Sequence, residues 1–200
     1  MIVASGSRFR KLDVSGENEF IGRGVSYCAT CDGPLFRDKA VAVIGGGDAA
    51  LTEALHLSKF ASSVKVIHRR DQLRASKMLQ ERAMAEPKIE FIWNAVVAEI
   101  EGNRAVNQLR LKKTKDDTIS TVQVAGVFIA IGLEPSIDYL GGALPLDKGG
   151  YIITNELMET GVPGIFAAGD VRHNSARQAI TAAGDGATAA LSAESFLSLP

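Results

Sequence analysis

Residues Ala40 to Ile44 read AVAVI, an apolar run with no polar break. A strand with one face in water alternates, so a continuous run predicts a strand buried on both faces. Gly45, Gly46 and Gly47 follow it. From Asp48 to Phe60 the apolar residues Leu51, Ala54, Leu55 and Leu57 fall close to helical spacing, and Asp48 suits the helix start. Ser63 to Ile67 is a second β-rich run. Strand, glycine turn, helix and strand in about 30 residues make a βαβ unit.

The pattern continues with a helix from Arg74 to Ala85, stopped by Pro87, and strand material from Ile89 to Ile100. Gln108 to Lys113 and Thr121 to Ile131 read as strands separated by the polar turn Lys115–Asp116–Asp117. After a loop-rich stretch from Gly141 to Gly150, Tyr151 to Thr154 predicts a short strand. GIFAAGD, Gly164 to Asp170, predicts a small-residue strand, and Ala176 to Leu197 a long alanine-rich helix. The order is α/β with an antiparallel or mixed insert in the middle. Phe91 and Trp93 read as core, His56 as a surface or groove residue, and Lys112, Lys113 and Lys115 as solvated.

Composition narrows the function classes. The 200 residues fit one or two domains, with 46% hydrophobic and 22% charged residues, ordinary for a soluble globular protein. A net charge of −1 gives no electrostatic pointer to nucleic acid. No run approaches the roughly 18 apolar residues of a membrane span. MIVASGSRF lacks the apolar centre of a secretory signal, so a cytoplasmic protein is expected.

The glycine turn gives Gly45-x-Gly47-x-x-Ala50, the dinucleotide pattern with alanine in third place. The motif alone is weak, but here a strand precedes it and a helix and second strand follow. Gly45 to Ala50, including Gly46, Asp48 and Ala49, is therefore a candidate pyrophosphate site at a helix start. An NAD site places an acidic residue after the second strand, whereas a 2′-phosphate calls for arginine. This chain has His68, Arg69 and Arg70 there and Arg74 beyond, with Arg70 and Arg74 on one face if the helix starts early. A basic turn is usually only solvated; its place after this strand reads as NADPH. Glu53, in the first helix, either approaches the nicotinamide or lies on solvated helix surface.

Both cysteines lie in YCATCDG, as Cys28 and Cys31. Such a pair can form a disulfide, hold part of a metal site or be incidental. His56, His68 and His173 are scattered without paired spacing, so no metal is expected, and a redox-active pair is favoured. Asp32 follows at once, either as a general acid or as a turn former before Gly33-Pro34, and the residue pattern does not separate the two. Hydride and disulfide each carry two electrons, so a flavin is the expected mediator between them.

The stretches GVSYCATCDG, GGGDAALTEALHL, HRRDQLRAS, VAGVFIAIGLEP, GVPGIFAAGDV and RQAITAAGDGATAA together resemble the low-molecular-weight thioredoxin reductases, NADPH- and FAD-dependent pyridine nucleotide-disulfide oxidoreductases. The resemblance covers essentially the whole chain. It implies a Rossmann-like NADPH domain, three-layered with a parallel and a small antiparallel sheet, inserted into a partial FAD domain. Residues 1–11 would end a first FAD-domain segment, 12–132 would form the NADPH domain with the Cys pair, and 133–200 the second FAD-domain segment. The resemblance implies that Cys31 faces the flavin, Cys28 exchanges with thioredoxin and Asp32 is the acid. It assigns Gly132, Gly169, Asp170, Val171, Arg177, Gln178 and Ala179 to cofactor binding, places hinges near Leu12 and Gly132, and implies a homodimer. The family opens with its own strand, glycine turn and helix for the FAD pyrophosphate. No such unit precedes Met1, so the chain is expected to be a truncated product or a fragment. The expected activity is NADPH-dependent thioredoxin-disulfide reduction. The alternatives are a non-catalytic NADPH-binding module and a reductase component related to that of alkyl hydroperoxide reductase.

Overall fold

In the computed structural model, which describes residues 1–198, two short strands come first, β1 (Ile2–Val3) and β2 (Ser7–Phe9). β3 (Val25–Ser26) leads into a single-turn helix α1 (Ala29–Asp32). The βαβ unit follows as β4 (Ala40–Ile44), α2 (Asp48–Leu57) and β5 (Ser63–His68), with α3 (Lys77–Ala85) and β6 (Ile89–Trp93) after it. Next come β7 (Ala95–Gly102), β8 (Val106–Lys113), β9 (Ile119–Gln123) and β10 (Gly126–Ile129). The remainder holds β11 (Leu133–Pro135), β12 (Phe166–Ala167) and α4 (Ala179–Leu197). The chain divides into two units, Arg10–Gly132 and a second that joins Met1–Phe9 to the stretch from Leu133 onward.

The Arg10–Gly132 unit is a Rossmann-type three-layer sandwich. Its parallel sheet has the order β3-β10-β4-β5-β6, and a separate antiparallel sheet has the order β7-β8-β9. β4 sits between β10 and β5, which is why AVAVI carries no polar break. Alternate side chains serve opposite layers. Val41 and Val43 pack with Leu51, Ala54 and Leu57 of α2, while Ala42 and Ile44 pack with Val97, Leu109 and Leu111 of the antiparallel sheet.

Several boundaries differ from expectation. The run Ile89 to Ile100 is two strands in two sheets, parted at Asn94, whose φ of 52° turns the chain. Thr121 to Ile131 likewise divides between β9 and β10, which belong to different sheets. Around Ile152 there are only isolated bridges, to Leu146 and Arg172, rather than a strand from Tyr151 to Thr154. The last helix begins at Ala179, because Arg177 has φ 56° and Gln178 is extended. Phe91 and Trp93 stack on each other, ring centroids 5.0 Å apart, and are half-buried. Lys113 donates to the Trp93 carbonyl at 3.1 Å, and Lys112 pairs with Asp117 at 2.9 Å, so neither ammonium is merely solvated.

In the second unit β1 pairs in parallel with β12, and β11 pairs antiparallel with β2. Val3, Leu144, Ile152, Ala167 and Val171 form its core.

Gly45 joins the layers of the first unit. It has φ 152°, and a Cβ there would lie 2.4 Å from the Ala130 carbonyl oxygen and 2.8 Å from the Ala50 Cβ. Gly45→Ala is expected to lower stability by about 2–4 kcal/mol, from backbone strain plus overpacking, in urea unfolding. A loss below about 0.5 kcal/mol, as at an ordinary surface position, would contradict this packing.

Candidate functional site

All five strands of the parallel sheet run the same way, so their carboxyl ends line one edge. Open α/β sheets bind ligands beyond that edge. Here β3 runs into the cysteines, β4 into Gly45–Gly47, β5 into His68–Arg70, and β10 towards Gly132. β10 alone separates β3 from β4. The disulfide strand and the glycine-turn strand are therefore two strand spacings, about 10 Å, apart.

Cys28 and Cys31 are joined in a disulfide, with Cα atoms 5.3 Å apart. Cys28 caps α1, its sulfur accepting the Cys31 N–H at 3.1 Å. Cys31 is exposed and Cys28 half-buried. Asp32 is not simply a turn former. Its Oδ2 lies 2.6 Å from the hydroxyl of Ser26, a buried side chain that also accepts the Cys28 N–H at 3.1 Å. Next to Cys28, Tyr27 donates to Glu17 at 2.8 Å. Glu17 is fully buried, and its oxygens accept the N–H groups of Leu12 and Asp13. Burial, and then the Glu17 carboxylate, push the Tyr27 phenol well above its usual range.

At the glycine turn, a Cβ on Gly47 would meet nothing within 4 Å, which leaves room for a ligand against the backbone. Gly46 is tied differently. A Cβ there would lie 2.3 Å from the His68 ring, and its carbonyl accepts the N–H groups of Arg74 (2.7 Å) and Ala75 (3.2 Å). The Asp48 carboxylate takes the Ser76 N–H at 2.6 Å. Three successive donors thus tie the segment before α3 to the glycine turn, and the helix starts at Lys77 rather than at Arg74. Arg70 and Arg74 consequently share a loop rather than a helix face. Asp48, expected to start its own helix, is the first residue of α2 and anchors the start of α3 with its side chain.

Arg69, Arg70 and Arg74 are exposed, and among the described residues none is held in an ion pair. His68 is placed differently. It is buried beneath Gly46, with Nε2 3.0 Å from the Gln72 carbonyl, and burial holds its pKa down. Ala49 is exposed and Ala50 is buried in the helix–sheet core. Glu53 is not on solvated surface. One of its carboxylate oxygens is buried without a hydrogen-bond partner, and burial raises its pKa from 4.5 to about 7.

In the second unit, Gly169, Asp170 and Val171 form a 3₁₀ turn after β12. The Asp170 carboxylate accepts from Ser175 Oγ at 2.9 Å, and that Oγ accepts the Arg177 N–H at 3.1 Å. Arg177, Gln178 and Ala179 are exposed, and the Arg177 guanidinium lies 5.4 Å over the Tyr151 ring. Asp185, unmarked in the alanine-rich pattern, proves to hold this turn. It accepts the Gly169 N–H at 3.1 Å and grips Arg172 through two oxygens, at 2.6 and 2.8 Å. The Arg172 guanidinium keeps its carboxyl below the usual range.

The parallel sheet thus carries the glycine turn and the disulfide at one edge. Residues 1–186 match the model of the pyridine nucleotide-disulphide oxidoreductases. The thioredoxin reductase of Streptomyces coelicolor is 50% identical over 198 residues, 98% of this chain and 62% of the relative. That of Chlamydia pneumoniae is 48% identical, over 98% of this chain and 65% of the relative. The crystal structure of thioredoxin reductase from Streptococcus pyogenes superposes with a TM-score of 0.93 at 47% identity, over 98% of this chain and 64% of that one. The enzyme from Giardia duodenalis also gives 0.93, at 39% identity. This chain belongs to the pyridine nucleotide-disulphide oxidoreductase family, in its low-molecular-weight thioredoxin reductase branch. It spans 62–65% of the length of the first two of these relatives. No helix among the described residues is long and apolar enough to cross a membrane.

Glu53 gives a pH prediction. Its carboxyl binds a proton more tightly folded, near 7, than unfolded, near 4.5. Its contribution is therefore complete below about 4.5 and is lost as pH rises through about 7, by at most about 3 kcal/mol. Glu53→Gln removes this fall, so the variant should gain stability relative to the native chain between pH 5 and about 8 in urea titrations. A stability difference that does not change with pH would show that the carboxyl titrates normally.

Proposed function

We propose that the chain carries the pyridine-nucleotide and dithiol parts of a thioredoxin-disulfide reductase, in which electrons pass from NADPH by way of FAD to Cys28–Cys31 and on to thioredoxin. The observation that carries this reading is the single carboxyl edge at which the disulfide, the glycine turn and the arginine loop end. The thioredoxin reductases among its relatives support thioredoxin as the disulfide partner. On this reading residues 12–132 are the NADPH domain, and 1–11 with 133–200 contribute to the FAD domain. The assembly is a cytoplasmic homodimer.

The residues present suit a pyridine nucleotide and part of an FAD site. The open space at Gly47 and the unpaired guanidiniums of Arg69, Arg70 and Arg74 suit a pyrophosphate and a 2′-phosphate, and the partnerless Glu53 oxygen offers one more polar contact. Gly46 and His68 shape the turn from below, Asp48 locks it to α3, and Ala49 and Ala50 start the helix behind it. Gly132 closes the unit through its carbonyl, which accepts the Arg10 N–H at 3.1 Å. Asp170, with Gly169 and Val171, and the exposed Arg177, Gln178 and Ala179 would hold FAD. The two cofactors supply the conversion of a hydride into an electron pair for the disulfide. In the protein, Cys28 would exchange with the partner's disulfide, Cys31 would face the flavin, and Asp32 would hold the proton given to a leaving thiolate.

Replacing Arg69 and Arg70 with alanine should weaken NADPH binding by about tenfold or more and leave NADH binding nearly unchanged, as read by nucleotide fluorescence titration. Equal loss for both nucleotides would refute the 2′-phosphate assignment.

A further inference from the structure

The geometry points to Ser26 as the positioning residue for Asp32: its hydroxyl ties the acid to the backbone of the first cysteine. The inference rests on the reading of Asp32 as proton donor and deepens it. Ser26 lies in β3, two residues before Cys28, and is only 5% exposed. Its Oγ approaches Asp32 Oδ2 at 2.6 Å and the Cys28 carbonyl at 3.4 Å. A hydroxyl has one proton to donate, and the shorter contact to a carboxylate is much the stronger. The proton therefore goes to Asp32, and a lone pair of the same oxygen receives the Cys28 N–H at 3.1 Å.

One buried atom thus ties the acid to the backbone of the first cysteine. The Asp32 N–H closes the loop by donating to the Cys28 carbonyl at 3.1 Å. With no Ser26 hydroxyl, the Asp32 carboxyl loses its one side-chain hydrogen bond of this network and is free to rotate towards water. An acid that must meet a leaving sulfur works only when it is held in reach. β3 is paired with β10 at Val25 and Ser26, so the hydroxyl sits on a hydrogen-bonded sheet.

The chain as it stands permits a test that needs neither cofactor. Dithiothreitol reduces the Cys28–Cys31 disulfide in two exchanges. Its thiolate bonds to one protein sulfur, and the other leaves with the electron pair and takes a proton from the Asp32 carboxyl. The reagent's second thiol then displaces the first protein sulfur and closes the oxidised ring. The reagent loses two electrons, and the protein disulfide gains two. The rate is followed from pH 8 to pH 5 and expressed per reagent thiolate.

In the native chain this rate should climb as pH falls, because a proton donor serves the leaving sulfur. In Asp32→Asn it should be flat. In Ser26→Ala it should climb but remain about tenfold below the native rate at the acid end. Adding Ser26→Ala to Asp32→Asn should cause no further loss.

A native profile in Ser26→Ala alongside a flat one in Asp32→Asn overturns the positioning role and leaves the acid assignment standing. A native profile in Asp32→Asn overturns the acid assignment and the positioning role with it. A further tenfold loss in the double variant shows that Ser26 acts on something other than Asp32, which also overturns the proposal.

Discussion

The structure of the larger unit depends on one constraint: β4 must be buried on both faces. A strand in that position has no solvent side, so it takes β-branched and small apolar residues throughout and needs a layer on each face. α2 and α3 supply one layer and the antiparallel sheet the other. The parallel connections then follow, and with them a single carboxyl edge where three chemically distinct segments end. None of these segments is near the others in sequence. Their meeting is a consequence of strand order, which inserts the late strand β10 between β3 and β4.

At that edge, backbone rather than side-chain bonds set the geometry. The Gly46 carbonyl takes two N–H groups from the arginine loop, and Asp48 takes a third. These bonds tie the arginine loop to the glycine turn ahead of α3. His68 fills the space under Gly46 that a side chain would otherwise occupy. The cysteine motif is held by a similar device, with Ser26 anchoring Asp32 and Glu17 anchoring Tyr27 as buried polar residues. In the smaller unit Asp185 plays that part for the Gly169 turn through its paired bonds to Arg172.

Much of this was legible in the sequence where periodicity or a special residue carried the signal. AVAVI gave the central strand, Gly45 to Ala50 the turn, and YCATCDG the cysteine pair. What was not legible lies in long-range hydrogen bonds. Arg74 looks helical from its neighbours, but it lies in the loop before α3, where its N–H donates to the Gly46 carbonyl, 28 positions earlier. Asn94 looks like one more residue of a strand, and its left-handed backbone is set by the change from one sheet to the other. Ser26, Glu17 and Asp185 carry no pattern at all, because a buried polar residue is recognised by its partners and not by its spacing. Glu53 was balanced between surface and site on residue type, and burial of its partnerless oxygen takes it off the surface.

One sheet edge gathers the glycine turn, the arginine loop and the approach to the disulfide. The most direct measurement is an amide NMR titration of the isotope-labelled chain with NADP⁺. The account predicts that the largest shifts fall at Gly45 to Ala50 and at Arg69 to Ala75, with smaller ones at the ends of β3 and β10. Saturable shifts confined to other surfaces, with the glycine turn unmoved, would contradict it.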